Sequence, residues 1–136
     1  MYEVDELTGN ITLRQGDNGE YTLEDIPNNY LYMAYFGVHD DKRKKIGTEI
    51  IKEIDQVNKR VTFKLSPSFT DQLVVKDNEE TATYFFDVKL AYKEVDDDGN
   101  VIVDIEDTLI LGDKTAEEKN TITVYPKTVE GGIING

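Results

Sequence analysis

The chain has 136 residues, 38% hydrophobic and 32% charged, with eight Tyr and five Phe. That is enough apolar surface for one packed domain, and it argues against disorder. There is no cysteine, which excludes disulfides, thiolate nucleophiles and thiolate zinc sites. The formal net charge of −13 is uneven: residues 1–68 carry 9 Lys/Arg against 12 Asp/Glu (−3), and residues 69–136 carry 6 against 16 (−10), a balance that repels nucleic acid and anionic membranes.

Residues 1–9 are polar and read as a flexible lead-in. They lack the basic and apolar regions of a signal peptide, so synthesis in the cytoplasm is expected, and no apolar run nears the ~18 residues of a membrane span. Residues 10–14 form a short alternating strand with Ile11 and Leu13 on one face. Residues 15–19, QGDNG, turn the chain, and residues 20–26 return with Tyr21 and Leu23 on one side until Pro27-Asn28-Asn29 breaks the strand. Residues 30–38, YLYMAYFGV, are nearly all apolar and predict a strand with both faces covered, or one whose outer face meets a partner. A charged loop follows at 40–45. Residues 46–54 read as strand from their β-branched content, although Ile46, Ile50, Ile51 and Ile54 also stand at helical spacing. Residues 61–65 alternate cleanly, with Val61, Phe63 and Leu65 inward. Ser66-Pro67 then opens a short helix over 66–73, on which Phe69 and Leu73 dock at i and i+4.

The stretch at 81–92, TATYFFDVKLAY, is the centre of the predicted fold. Tyr84, Phe86, Val88, Leu90 and Tyr92 share one parity, and Phe85, Asp87, Lys89 and Ala91 share the other. The DDDGN that follows supplies an Asp-Gly turn, so residues 81–111 predict the central hairpin. On the return arm the parity of Val101, Val103 and Ile105 would carry Asp107 inward. Burying an unpaired carboxylate is costly, so a bulge or a corner near Glu106-Asp107 is expected, with residues 108–111 starting again in a new alignment. A flexible charged loop spans 112–120, a last strand spans 121–125, and residues 127–136 are a Gly-rich tail or linker. The sum is a mostly-β chain: an antiparallel, immunoglobulin-like β-sandwich of about seven to nine strands with one short helix, forming a single domain over 10–126.

Candidate sites are few. Laid on a calcium loop, the acidic turn puts Asp96, Asp98 and Asn100 near ligand positions. The position that needs a bidentate Glu falls on Ile105, however, and the flanks are strands, so a hairpin tip is the better reading and no metal or other cofactor is expected. His39, the sole histidine, reads as a partly exposed strand-end residue. No nucleophile elbow, paired catalytic carboxylates or phosphate loop is present, so no enzyme is predicted. The one basic cluster, Lys42-Arg43-Lys44-Lys45, reads as a solvated hairpin tip that blunts a sheet edge. As a contact surface it would suit an acidic neighbour, including the second half of an identical chain. Tyr30, Tyr32 and Tyr35, placed close to that loop, are assigned to core packing, with interface or sugar-stacking aromatics as the alternative.

Four pieces, taken in order, resemble a known family. ITLRQGDNGEYTL (11–23), VTFKLSPSFTDQL (61–73), ATYFFDVKL (82–90) and DTLILGDKTAEEKNTITV (107–124) are similar to the immunoglobulin-like N-terminal domain of receptor-binding-associated baseplate proteins of tailed phages and prophages. The charged insertion at 40–45 departs from that pattern. The resemblance implies a non-enzymatic structural or adaptor part of a virion tail or baseplate, assembled in the host cytoplasm. Its partners would be other virion proteins or further copies of itself, and the basic cluster with Tyr30 and Tyr32 would be the interface candidates. The alternative from a different class is a carbohydrate- or cell-surface-binding sandwich aided by calcium at the acidic turn.

Overall fold

The computed structural model describes residues 1–26, 31–110, 112 and 120–128. The side chains of Leu31, Val95 and Val103, which lie within strands, are outside that description. The chain builds a β-sandwich whose organising strand is β7, Ala82–Val95. Its parity is the expected one. Tyr84, Phe86, Val88 and Leu90 are buried, whereas on the other face Asp87 is half-exposed and Lys89 exposed, although Phe85 and Ala91 there are buried too.

One edge of β7 pairs antiparallel with β4 (Leu31–His39), with Phe36 opposite Val88 and Val38 opposite Phe86. β4 in turn pairs with β5 (Lys45–Glu53). The competing helical reading of that segment is thereby settled as strand. Gly47, at φ 68, sits where the β4–β5 register shifts, a conformation glycine adopts without Cβ strain. The other edge of β7 is shared. Residues 82–85 pair with β9 (Thr121–Tyr125), and residues 88–95 pair with β8 (Val101–Ile110). β2 (Ile11–Arg14) then joins β9 in parallel, and β1 (Tyr2–Val4) joins β2. The large sheet is therefore mixed, where an all-antiparallel one was expected. The long excursion between β2 and β9 allows the parallel pair, which no hairpin could make.

The second sheet has two strands among the described residues, β3 (Gly19–Leu23) and β6 (Val61–Leu65), with Tyr21 opposite Phe63. The 15–19 turn is thus a crossing from one sheet to the other and does not close a hairpin. The lead-in also contributes to the sheet through β1. The ring of Tyr2 lies over Gly19, where an added Cβ would come within 2.0 Å of it. The helix α1 is shorter than expected, at Pro67–Thr70. Ser66 caps it by accepting the Phe69 N–H at 3.2 Å, and both Phe69 and Leu73 are buried.

The sheets are joined by four rings. Phe36 stacks on Phe86 at 5.2 Å between centroids and meets Phe63 at 5.4 Å, while Tyr21 stands edge-on to Phe86 at 5.2 Å. Ile11, Leu13, Leu65, Leu73, Ile122 and Val124 close around them, fully buried. Apolar burial at this density is the main favourable term, and each ring removed leaves a cavity that the neighbours fill only in part.

β8 departs most from expectation. The register does not shift at Glu106-Asp107 itself but two residues further on. Pairing is regular from Lys89 opposite Thr108 to Glu94 opposite Val103, and the irregularities lie at Leu109 and Ile102 instead. Asp107 needs no escape because it is exposed, standing opposite Leu90 on an arm the second sheet does not cover.

Where β8 ends, Gly112 is buried against β7. A Cβ there would stand 2.6 Å from the Phe86 carbonyl oxygen and 2.8 Å from its nitrogen. Gly112→Ala is expected to cost on the order of 1–3 kcal/mol, from forced separation of backbone segments, and Phe36→Ala about 3–5 kcal/mol. Urea unfolding monitored by circular dichroism checks both. An alanine at 112 with wild-type stability would show that this close approach does not exist.

Candidate functional site

The surface with most chemistry is the outward face of β5, β4, β7 and β8. Tyr35 of β4 stands between Ile51 of β5 and Lys89 of β7, and Gly37 stands opposite Asp87. Gly37 has no side chain, so its neighbours form the walls of a depression of about 430 Å³, lined by Tyr35, Glu49, Asp87, Lys89, Glu106 and Thr108. A second lobe of about 310 Å³ continues past Glu49 and Asp87 to His39, Arg43 and Lys45. The walls alternate in sign. Lys89 pairs with Glu106 at 3.7 Å and Lys45 with Glu49 at 3.5 Å, both pairs being solvent-exposed and individually weak.

His39 and Asp87 sit where the lobes meet. His39 is buried, 9% exposed, and not the partly exposed residue expected, because its ring stacks on Phe85 at 5.6 Å. Nδ1 lies 2.8 Å from the Asp40 carbonyl oxygen, which can only accept, so Nδ1 carries a proton and Nε2 turns to Asp87 Oδ1 at 3.6 Å. The same Oδ1 accepts the Gly112 N–H at 2.6 Å. Both groups are therefore engaged in fastening strand ends. The depression can hold a polar ligand by ring stacking on Tyr35 and hydrogen bonds to the carboxylates and Lys89.

The tyrosine expectation is corrected here. Ala34, Phe36 and Val38 fill the core from β4, and Tyr35, of opposite parity, is half-buried on the outer face. Tyr32 is half-buried as well, with the Lys93 ammonium 5.8 Å from its ring centroid. Tyr30 lies outside the described residues. The aromatic and basic candidates do not form one patch. Seven steps along β4 at ~3.3 Å put roughly 23 Å between Tyr32 and His39, beside which the basic loop begins. Lys42, Arg43, Lys44 and Lys45 are exposed at the β4–β5 tip, and Arg43 and Lys45 also line the second lobe.

The acidic turn is a hairpin tip. Asp96 Oδ1 accepts the N–H groups of Asp98 at 3.0 Å and Asn100 at 2.9 Å, and Gly99 takes φ 82. The carboxylate is thus spent on its own backbone. Among the described residues no group of three His, Asp or Glu side chains is placed to hold a metal.

Three other connections use the same device. Asp5 accepts from Leu7 and Thr8, Asp40 from Lys42 and Lys44, and Asp55 from Val57 and Asn58. Each carboxyl is held below its ordinary value. The leading causes are the Thr8 N–H for Asp5, the Lys44 N–H for Asp40, the Asn58 side-chain amide for Asp55 and the Asn100 N–H for Asp96. Reasoning from sequence singled out only Asp96 and missed the common pattern, an Asp two to four residues ahead of the N–H groups it caps.

Comparison with known proteins finds no match: no family profile fits the chain, and no curated sequence resembles it significantly. Among the described residues no helix is long and apolar enough to cross a membrane.

A depressed folded-state pKa stabilises the fold above the unfolded value, and that stability is lost as pH falls through the folded one. With an ordinary value of 3.8, the window lies below about pH 4. Asp96→Ala is therefore expected to melt below wild type by a constant margin above about pH 5, a margin that shrinks as pH falls under 4. Asp96→Asn, which keeps an acceptor oxygen, should recover much of the loss. Differential scanning fluorimetry from pH 3 to 8 reads this out, and an Asp96→Ala margin independent of pH would refute the capping role.

Proposed function

We propose that this chain is a non-enzymatic structural module of a tailed-phage or prophage particle, a tail or baseplate part that works by contact with other virion proteins or with its own copies. The observation that carries this reading is how the sandwich is finished. A ten-residue edge strand, β8, and the broad outward face beside it stand open among the described residues, while the acids at the turns are committed to backbone capping. Open edges of this length are ordinarily blunted in proteins that work alone. The resemblance of residues 11–124 to baseplate immunoglobulin-like domains supplies the particle context.

The tests are direct. Tail or head genes should flank the gene for this chain, and mass spectrometry of gradient-purified particles should find it at a copy number comparable with other tail proteins. Particles that assemble complete without it would refute the reading.

A second reading, a carbohydrate- or cell-surface-binding module, is favoured by one specific feature, the Tyr35 depression with its facing carboxylates. On that reading Tyr35→Ala should weaken glycan binding roughly two- to tenfold, since loss of a stacking aromatic costs about 0.5–1.5 kcal/mol, without changing the melting temperature. Glycan-array binding of the wild type, followed by titration of the variant, decides it. A wild type that binds no glycan removes the second reading.

A further inference from the structure

β8 has the features of a docking edge and few of those that protect one. It pairs with β7 alone among the described residues, and Val103–Thr108 forms six consecutive regular pairs. It contains no proline and no Lys or Arg, the residues that usually keep an edge from recruiting another strand. Ile102 is 58% exposed, Ile105 39% and Leu109 43%, so the strand offers apolar side chains as well as backbone groups. Its charges are Asp104, Glu106 and Asp107, all negative. Two β8 strands meeting antiparallel would gather six carboxylates, which opposes a symmetric contact.

The opposite end of the same sheet is different. There the order ends in β5, whose first residue is Lys45, preceded at the tip by Lys42 and Lys44 with both side chains exposed. These lysines are held in place because Asp40 accepts the backbone N–H of Lys42 and of Lys44, each at 2.9 Å. An ordered basic tip at one edge and an acidic open strand at the other are complementary between copies. Within one chain, among the described residues, Glu106 meets only the exposed Lys89 at 3.7 Å and Lys45 only the exposed Glu49 at 3.5 Å, and the tip and β8 lie at opposite ends of the sheet.

We propose that β8 docks a second copy of this chain, which brings the basic β4–β5 tip of its own sheet against the acidic edge. The contact is heterologous, so it propagates head to tail and closes into a ring or continues as a filament. It deepens the contact-module reading above and rests on it. One strand edge and a hairpin tip bury less than the ~1,600 Å² of a standard interface, so the association is weak and concentration-dependent. It also weakens with salt, because its charge pairs sit at the surface.

Sedimentation velocity of the full chain from about 5 to 500 µM tests this, a range that spans weak interfaces. Wild type should shift from monomer to larger species across the range and back towards monomer in 0.5 M NaCl. The tip-reversed variant Lys42→Glu/Lys44→Glu/Lys45→Glu and the edge-reversed variant Asp104→Lys/Glu106→Lys/Asp107→Lys should each stay monomeric. Their equimolar mixture should associate again, because the acidic tip of one then meets the basic edge of the other. A wild type monomeric throughout overturns the proposal, as does a tip-reversed variant that associates like wild type, the mark of a symmetric β8 contact.

Hydrogen exchange on the wild type needs no variant to fold. Protection gained with concentration in both 101–110 and 41–46 supports the contact, and its absence from either segment overturns it. A strictly monomeric chain still found in particles would sink this contact and leave the virion reading standing. Self-association of a chain missing from particles would do the reverse.

Discussion

The fold depends on β7 handing one of its edges from β8 to β9. Pairing with β8 ends at Val88 opposite Ile110, and pairing with β9 begins at Phe85 opposite Thr121. The residues between are bridged without a gap in hydrogen bonding. Asp87 Oδ1 takes the Gly112 N–H at 2.6 Å, and the Phe86 N–H reaches the Asn120 carbonyl at 3.2 Å. A backbone can run this close to β7 only without a Cβ, and that is the physical reason for glycine at 112. The charge on Asp87 matters as well, because a carboxylate acceptor makes a shorter and stronger bond than a neutral one. His39 approaches the same oxygen from β4, so the end of β4 and the segment after β8 both converge on one outward-facing acid of β7.

The chain's acidity then has a local explanation at four turns. Asp5, Asp40, Asp55 and Asp96 each place a carboxylate under successive N–H groups, replacing the strand partners those groups lose when the chain reverses. Because Asp40 shapes the β4–β5 tip, an acidic residue fixes where the basic residues stand. The acids of β8 are of another kind. They lie within a strand, cap no turn, and give the open arm its charge.

How much of this was legible in the sequence depended on whether an element had one buried face. β6 does, and β7 has a continuous one although Phe85 and Ala91 are buried on its other side; their period-two patterns placed Val61, Phe63, Leu65, Tyr84, Phe86, Val88 and Leu90 correctly. β2 also showed its inward residues, Ile11 and Leu13, and β9 was placed as a strand, but nothing in so short a strand records whether its partner runs parallel. β8 misled for the opposite reason. A bulge or corner near Glu106-Asp107 was expected on the premise that the alternating face is buried, and among the described residues the second sheet, with two strands, does not reach that far. At the candidate site the parity of Asp87 and Lys89 marked an outward face, and Tyr35 falls on the matching parity of β4. The depression itself was hidden, since its wall residues come from four strands and its floor from Gly37. Tyr35 was assigned to the core because a run so apolar carries no polar residue to mark its outer side.

Among the described residues, the mismatch of seven strands against two sets the terms on which this protein can meet others. Covering stops short of β8, so Ile105 and Leu109 remain in water on the side where a complete second sheet would have buried them. At a net charge of −13, copies of the chain repel at long range. In physiological salt that repulsion fades over about 8 Å, the Debye length, while charges brought into contact still act on one another. An association between such chains must therefore come from a short-range, polarised contact that brings a local cation to a local acid. Beyond the lysines of β7 and β5, the same sheet carries a cluster of cations at the β4–β5 tip and, among the described residues, an uncovered acidic strand beyond β7. Strand order thus creates a complementarity that composition alone would deny.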